Sequence, residues 1–469
     1  QRKMASGLGQ SLRVHWVGGP GFSIAISSRK ASLTLGKVLS KFNEAYERKH
    51  GAAVGADALY DVEYRLVRSL PCRGDVFAGK RPSFPRSPRS IAYVGGSITE
   101  QREGWRPRFH GSNFSNKCSS IEAFCGNAGS TLLAFAARDW ATKAEAVVIE
   151  VCVNDGDAVL EGDSNVELAL EGLVRSLGDK PVLFVEMFLR DDLPAERLTG
   201  TRAWIDADDR TAAAEVYHRT VPKIHRKIAA RYGAAVVDLC DVFTPMPAHA
   251  RDRIFRDDCH HTTEGAAFVA DIVKEQLLKF FKSDDDDKRL TTSRRRRPGE
   301  KNPPQDGDDD DDASLPPPLD PAYWRPTAPR KFDLPDVSGG IVDRCPITGL
   351  PATWHWLTPG HEARCSFRGR AVGLLTNVGP DVGAAFVQVD QEEPKRVDLV
   401  DRWCYYWRQT IKLLWVGPPG DHDLRLTVDP APPDRSVLKR PITDPRFTQN
   451  VSGLGVTPKL WLLWYCVLE

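Results

Sequence analysis

Residues 88 to 282 alternate short apolar runs with longer amphipathic stretches. The runs are continuous and rich in Val and Ile, which is typical of parallel strands buried on both faces. They lie at residues 90–96, 144–154, 180–188 and 234–243. The other stretches carry apolar residues at helical spacing, at residues 130–143, 165–177, 211–233 and 262–282. This alternation predicts an α/β domain over residues 88–282, built on a doubly wound parallel sheet.

The pattern changes beyond residue 323, where short alternating segments are separated by Gly, Pro and Asp turns. This texture predicts an antiparallel β-sandwich domain over residues 323–469. Eight of the twelve tryptophans lie at or beyond residue 324, and they could form a sugar-stacking surface or pack in a core. Core packing is the commoner fate of tryptophan. The candidates for a sugar-stacking surface are Trp324, Trp354, Trp356, Trp403 and Trp407.

Residues 283–322 combine runs of Asp, a run of Arg and many prolines. Like charges repel and prolines interrupt regular structure, so little apolar burial offsets the entropy of ordering. The segment is predicted to be a disordered, charged and Pro-rich linker between the two domains.

Residues 1–87 begin with a basic, Ser-rich stretch that has no acidic residue before Glu44. Such a composition is typical of a transit peptide, and it also fits a basic disordered arm. An organellar or secretory location is therefore an expectation, and the role of this extension stays open.

Composition narrows the function classes. The 469 residues carry a net charge of +1, which gives no sign of a nucleic-acid partner, and no apolar run is long enough to span a membrane. Ten cysteines form no Cys-x-x-Cys pair, which argues against a zinc ribbon, and their even number leaves disulfides open. We expect no cofactor and no resident metal.

Four polar blocks follow one another in the α/β domain. Gly95-Gly96-Ser97-Ile98-Thr99 ends the first predicted strand, and residues 126–131 open a helix. Asn154-Asp155 ends the second predicted strand, and residues 257–265 precede the last helix. Because ligands of doubly wound sheets bind beyond the carboxyl ends of the strands, these blocks are candidates for one site.

The order and placement of the blocks resemble the SGNH (GDSL-like) hydrolase superfamily, in the branch with Gly-Gly-Ser-Ile/Val-Thr. The resemblance covers residues 88–282 and implies a flavodoxin-like α/β/α fold. It implies that Ser97 is the nucleophile of an ester hydrolase, activated by a histidine that a carboxylate orients. It also implies that the oxyanion is held by the Ser97 and Gly129 backbone N–H groups and the Asn154 side chain. Gly126 is an alternative to Gly129 in the second block.

Two registers satisfy the Asp-x-x-His spacing of the last block, namely Asp257 with His260 and Asp258 with His261. Family members commonly have a glycine five residues after the catalytic histidine, and Gly265 stands in that relation to His260. The resemblance therefore assigns His260 as general base and Asp257 as its orienting carboxylate. Asp258 and His261 are then expected to face the loop or the solvent.

The third block departs from the family pattern Gly-x-Asn-Asp, because Cys152 replaces the glycine. We expect the larger side chain to narrow the space beside the oxyanion and to favour a small acyl group such as acetyl. The first block departs too, with Gly96 where the GDSL motif has Asp. Asp155 is expected to hold the loop rather than to act as an acid.

The leading hypothesis is a serine esterase that removes small acyl groups, acetyl above all, from a small-molecule or glycan ester. An acyltransferase with the same triad is an alternative, since the sequence does not show whether water or a sugar hydroxyl accepts the acyl group. A non-catalytic carbohydrate-binding protein is another. A metal-dependent hydrolase is a further alternative, with ligands drawn from Asp257, Asp258, Cys259, His260 and His261.

Overall fold

The structure is a computed structural model. It describes residues 11–16, 22–27, 74–76, 84–85, 87–114, 117–124, 126, 128–135, 143–160, 162–193, 197–198, 210–280, 315–321, 323–325, 330, 332, 339–344, 351–380, 382–401, 404, 408–438, 460–462 and 464–468. Most of the predicted N-terminal extension, most of the predicted linker, and Trp403 and Trp407 lie outside the described residues.

The strands of the N-terminal extension and the α/β layer are β1 (Ser11–Trp16), β2 (Phe22–Ser27), β3 (Gly74–Val76), β4 (Ser90–Gly95), β5 (Ser119–Phe124), β6 (Ala146–Glu150), β7 (Val182–Glu186) and β8 (Ala235–Asp238). The helices are α1 (Ser97–Glu100), α2 (Trp105–Asn113), α3 (Ser130–Ala134), α4 (Cys152–Leu160), α5 (Val166–Ser176), α6 (Arg210–Glu215), α7 (Val221–Tyr232), α8 (Cys240–Phe243), α9 (Ala248–Ile254) and α10 (Thr263–Phe280). The later strands are β9 (Gly339–Arg344), β10 (Pro351–Leu357), β11 (Glu362–Val378), β12 (Ala384–Val389), β13 (Lys395–Asp398), β14 (Arg408–Val428), β15 (Leu460–Leu462) and β16 (Trp464–Leu468).

The central sheet has the strand order β3-β8-β7-β6-β4-β5. Strands β4 to β8 run parallel, in the doubly wound order of flavodoxin-like sheets, which confirms the predicted fold class. Every residue of β4, β6 and β7 is buried, as expected for strands covered by helices on both faces. Strand β3 adds an antiparallel edge to the sheet from the N-terminal extension.

The switch point of this sheet lies at β4, which pairs with β5 on one side and β6 on the other. Chain segments that leave the carboxyl ends of these three strands begin next to one another. They carry the first three polar blocks, and the site is built there.

The predicted helix over residues 211–233 is interrupted by one π-helical turn, Val216–Thr220, between α6 and α7. Pro222 stands at the start of α7 and lacks the N–H that a regular α-helix would donate four residues back. The wider turn directs the buried Tyr217 toward α4, where its hydroxyl donates to Asp157 Oδ1 at 2.6 Å.

The C-terminal strands form two antiparallel sheets, in the orders β13-β12-β14-β11-β16 and β15-β10-β9. Buried residues of both sheets share one hydrophobic core, which includes Leu357, Val372, Leu426 and Leu460. The predicted antiparallel β-sandwich is confirmed.

The sandwich and the α/β layer are joined by a common hydrophobic cluster. Ala371, Leu375 and Ile411 of the sandwich belong to the same cluster as Phe135 and Trp324. Trp324 is only 1% exposed, so it is a core residue and is unavailable for stacking on a sugar. Its backbone lies so close to Gly172 of α5 that any larger side chain at that position would overlap it.

The predicted linker needs a correction at its C-terminal end. The carbonyl of Pro316 accepts a hydrogen bond from Arg175 at 2.7 Å, and the Leu319 N–H donates to the Glu171 carboxylate at 2.6 Å. Residues 315–320 therefore pack on the α/β layer. Glu171 is wholly buried, so it has a strong requirement for hydrogen-bond donors, and the composition of residues 283–322 could not show this.

Among the helices that the structure describes, none is both long and apolar enough to cross a bilayer. Six described cysteines have free thiols, namely Cys118, Cys152, Cys240, Cys259, Cys365 and Cys404.

Candidate active site

Ser97 is the first residue of α1, directly after β4, and it is half-buried. The two preceding glycines are required by close packing. A Cβ atom on Gly95 would lie 2.5 Å from the Thr99 hydroxyl, and one on Gly96 would overlap the Asn154 side-chain oxygen. The turn that presents Ser97 therefore tolerates no side chain at either position.

The structure brings Ser97, His260 and Asp257 together. The Ser97 Oγ lies 2.8 Å from His260 Nε2. On the other side of the ring, His260 Nδ1 lies 3.0 Å from each Asp257 oxygen. This chain of contacts places a hydroxyl, an imidazole and a carboxylate in the order that activates a serine.

The loop that carries His260 is held by its own aspartate. Asp257 Oδ1 accepts hydrogen bonds from the backbone N–H groups of Cys259 and His260, at 3.1 and 2.7 Å. Burial would raise the pKa of Asp257, but the hydrogen bond from the His260 ring, the ring's charge and the two backbone donors hold it well below its usual range. Asp257 is thus a carboxylate over the ordinary pH range.

The expectation that Asp258 and His261 face the loop or the solvent is wrong, because both side chains are buried. Asp258 is wholly buried, and His261 is only 5% exposed. The His261 ring packs on Phe255, and neither of its nitrogens has a hydrogen-bond partner among the described residues. Burial lowers the pKa of His261 to about 3, and the neighbouring His260 acts in the same direction. The reason for the difference is a β-bridge between Phe255 and His261, which draws the backbone inward.

Gly265 has a local role that explains its spacing from His260. A Cβ atom on Gly265 would overlap the Ile254 carbonyl oxygen. The Thr262 hydroxyl accepts a hydrogen bond from the Gly265 N–H at 3.0 Å, so it caps the start of α10. The glycine lets the helix begin directly behind the loop.

The three expected oxyanion donors carry no competing bonds. Within the described part of the chain, the backbone N–H groups of Ser97 and Gly129 and the Asn154 side-chain amide have no hydrogen-bond acceptor. Asn154 is 9% exposed. A Cβ atom on Gly129 would meet Asp155 and the Asn154 backbone, whereas one on Gly126 would lie 3.1 Å from a Glu100 oxygen. The packing favours Gly129 over Gly126 as the second-block donor.

Asp155 holds two of the blocks together. Its Oδ1 accepts a hydrogen bond from the Ser130 N–H at 2.6 Å, and its Oδ2 accepts one from the Ser130 hydroxyl at 2.6 Å. Ser130 follows Gly129 and Asp155 follows Asn154, so the pair fixes one donor-bearing segment against the other.

The Cys152 thiol is held by backbone groups rather than left free. Cys152 is 4% exposed, and its Sγ accepts a hydrogen bond from the Met187 N–H at 2.9 Å. The side chain is engaged by the backbone that follows β7. The expectation that this cysteine limits the acyl group therefore finds no support in the geometry.

A buried polar layer beneath the site was absent from the sequence prediction. The Thr99 hydroxyl donates to Glu150 Oε2 at 2.6 Å, and burial raises the pKa of Glu150 to about 8 despite this bond. His225 of α7 lies between Asp155 and Glu186. One signal could have found His225: it shares the buried face of its helix with Val221, Ile228, Ala229 and Tyr232.

The five-residue metal set is not assembled. In the described ranges, Asp257, Cys259 and His260 offer ligand atoms within 4.8 Å of one another. Asp257 and His260 already bond each other, and the second nitrogen of His260 faces Ser97. His261 is directed into the core. The arrangement suits proton transfer better than metal ligation.

Comparison with solved structures finds carbohydrate esterases among the similar folds. A two-domain esterase active on acetylated mannans, co-crystallised with mannopentaose, has 15% sequence identity and a TM-score of 0.49, over 82% of this chain and 91% of that one. A family two carbohydrate esterase from Cellvibrio japonicus has 9% identity and a TM-score of 0.19, over 31% and 33%. A putative platelet activating factor from Streptococcus pneumonia has 11% identity and a TM-score of 0.29, over 51% and 97%.

No protein-family model matches the chain, and no curated protein matches it. Since the TM-scores quoted are all below 0.5, these similarities carry no argument about chemistry, which has to come from the site itself.

Proposed function

We propose that this protein is a serine esterase that hydrolyses small acyl esters, acetyl above all, on a carbohydrate. The observation that carries the ester chemistry is the 2.8 Å contact between Ser97 Oγ and His260 Nε2, with Asp257 on the opposite nitrogen. A serine in this environment has the base that it needs to become a nucleophile.

In the proposed reaction His260 Nε2 takes the Ser97 proton while Oγ attacks the ester carbonyl carbon. The carbonyl oxygen becomes an oxyanion, which accepts hydrogen bonds from Ser97 N–H, Gly129 N–H and the Asn154 amide. The alcohol leaves with the proton from His260, and an acyl-serine remains. Water then gives a proton to His260, attacks the acyl carbon and releases the acid, while Ser97 regains its proton.

The choice of substrate rests on the sequence resemblance. Trp324 is a core residue and the Cys152 thiol is bonded to the Met187 N–H, so neither supports the sugar or the small acyl group. Similar solved structures include esterases active on acetylated mannans, which makes acetylated mannan a suitable test substrate and no more.

The test combines three small esters, one polymer and one covalent probe. The parent protein should hydrolyse p-nitrophenyl acetate faster than the butyrate and octanoate esters, and it should release acetate from acetylated mannan. A fluorophosphonate should label the parent protein and spare Ser97→Ala. Equal labelling of both would refute the nucleophile.

Two further arms separate the alternatives. Adding free mannose would divert the acetyl group to sugar if the protein is an acyltransferase, whereas an esterase releases acetate. A chelator such as EDTA should leave the rate unchanged, and a loss of activity restored by a metal would favour the metal-dependent hydrolase. Absence of hydrolysis and labelling together would overturn the proposed function.

A further inference from the structure

His225 is bonded through both ring nitrogens to carboxylates. Its Nε2 lies 2.8 Å from Asp155 Oδ2, and its Nδ1 lies 2.9 Å from Glu186 Oε1. An ionised carboxylate only accepts hydrogen bonds, so a ring that bonds two of them donates from both nitrogens and is an imidazolium. Burial alone would lower the pKa of His225, but the charge of Glu186 and the hydrogen bonds to both carboxylates raise it to about 10.

The three groups are almost completely removed from solvent. His225 and Glu186 are each 1% exposed, and Asp155 is fully buried. A carboxylate in such a place is costly unless a cation and hydrogen-bond donors compensate it. His225 supplies that cation to both acids. Among the described residues, removing it would leave Asp155 bonded to the two donors of Ser130 and to no cationic side chain.

Asp155 is the link from this cation to the site. It bonds both the N–H and the hydroxyl of Ser130 at 2.6 Å. It also stands so close to Gly129 that a Cβ atom there would lie 2.5 Å from its Oδ1. Asp155 is also the residue directly after Asn154, to which its backbone is joined. The orientation of Asp155 therefore sets the positions of two of the three proposed oxyanion donors.

We propose that His225 is a positioning residue: as a buried imidazolium clamped by Glu186, it fixes Asp155 and thereby aims the Asn154 and Gly129 donors at the oxyanion. The inference rests on the proposed esterase function. His225 touches neither substrate nor reacting atoms. Its contribution is to hold donors that are useful only when the oxyanion forms, so it should affect kcat more than KM.

The central test is His225→Gln, with Tyr232→Phe as the matched control. Tyr232 lies on the same helix, is 1% exposed, and donates a hydrogen bond from its hydroxyl to the buried Glu171 at 2.5 Å. Both variants therefore lose a buried polar contact of α7, but only His225 is connected to Asp155. Circular dichroism melting would measure the stability of each, and p-nitrophenyl acetate hydrolysis would measure kcat and KM.

For His225→Gln we expect kcat to fall about 10- to 100-fold with KM within about threefold, because losses of supporting contacts around a site are typically of that size. Tyr232→Phe should melt at a lower temperature and keep its kcat. An unchanged kcat in His225→Gln, or an equal fall in both variants, would overturn the proposal.

Two measurements keep the test decisive if His225→Gln does not fold or the parent protein has no esterase activity. Glu186→Gln removes only the far clamp, and it should lower kcat several-fold at constant KM. In the parent protein labelled with 15N-histidine, His225 should show two protonated ring nitrogens at pH 8, independently of catalysis. A neutral His225 ring refutes the positioning cation, whereas an inactive parent with a charged ring refutes only the esterase function.

Discussion

Two histidines of the α/β layer, His260 and His225, are each bonded to side chains through both ring nitrogens, and their partners differ. His260 has a carboxylate on one side and the Ser97 hydroxyl on the other, and its side chain is 17% exposed. His225 has a carboxylate on each side and a side chain that is 1% exposed. The residue type is the same, and the second partner changes from a hydroxyl to a buried acid.

That difference decides what each ring can do. A hydroxyl can give a proton to a neutral imidazole and take it back, so His260 is suited to acid–base exchange. Two carboxylates stabilise the imidazolium so strongly that His225 keeps its proton, and the ring becomes a fixed charge. A histidine beside an aspartate is thus insufficient to identify a base, and the group on the other nitrogen has to be known.

The largest loss of activity is expected on replacing His260, the histidine suited to acid–base exchange. If the proposed triad is correct, His260→Ala and Ser97→Ala should each lower kcat for p-nitrophenyl acetate by about a millionfold, because members of a triad act as a unit. Both variants should melt within a few degrees of the parent, unlike variants of His225. The exposed His249 offers a control, since His249→Ala should keep the parental rate. A substantial residual rate in His260→Ala would assign the base elsewhere.

The next effect concerns the carboxylate that orients His260. Asp257→Asn should lower kcat about ten-thousandfold, because an amide would hold the wrong tautomer of the ring. Asp258→Asn is the neighbouring control, and it should reduce the melting temperature while most activity remains, since Asp258 is buried and the His260 ring is bonded to Asp257. If Asp258→Asn were the less active variant, the register assigned to the last block would be wrong by one residue.

A smaller effect is expected at Asn154, and it tests the connection between this residue and His225. Asn154→Ala should lower kcat about 100- to 1000-fold with little change in KM, as is typical for loss of one oxyanion donor. If His225 acts through this donor, His225→Gln should cost much less in the Asn154→Ala background than in the parent. Fully additive losses in the double variant would separate His225 from Asn154.

The smallest effect on activity, and a clear one on stability, is expected at His261. The pKa of His261 is lowered to about 3, so its neutral form is favoured in the fold. The stability that this gives is present above the unfolded pKa and is lost as pH falls toward 3. His225 has the opposite effect, because its pKa is raised to about 10 in the folded protein. The stability that it contributes is fully present at pH values below the pKa of an unfolded histidine, and it is lost as the pH rises through 10.

His261→Leu should therefore flatten the acid limb of stability. Urea unfolding between pH 6 and pH 4 should show the parent losing about 1 kcal/mol per pH unit more than the variant. The kcat at pH 7 should stay within about threefold of the parent. An identical pH slope in the two proteins would mean that His261 is protonated in the fold.

The sequence predicted those features that are encoded by residues close to one another along the chain. The apolar runs located β4, β6, β7 and β8, and the Gly265 spacing selected the histidine that the structure brings next to Ser97. Strand β5 escaped detection because most of its residues are only partly buried or exposed, which leaves no continuous apolar run. The surroundings of side chains that contact distant parts of the chain were not predicted correctly.

Cys152, His261 and His225 show why. Cys152 is turned by the Met187 backbone, 35 residues away in sequence. The burial of His261 depends on a bridge to Phe255, and the charge of His225 depends on acids 39 and 70 residues away. No pattern within one element contains these distances, so spacing alone could not predict them.

Trp324, Ala371, Leu375 and Phe135 belong to one hydrophobic core. Because of this core, the two parts of the molecule should stay together even if the chain between them is cut. The run DDDDK at residues 284–288 lies between the two domains in sequence. A protein nicked after Lys288 would be two polypeptides and still one particle, since the apolar faces on either side of the cut remain matched. It should migrate as two bands on a denaturing gel and elute as one peak in gel filtration. Two separately produced fragments should, for the same reason, reassemble into one particle.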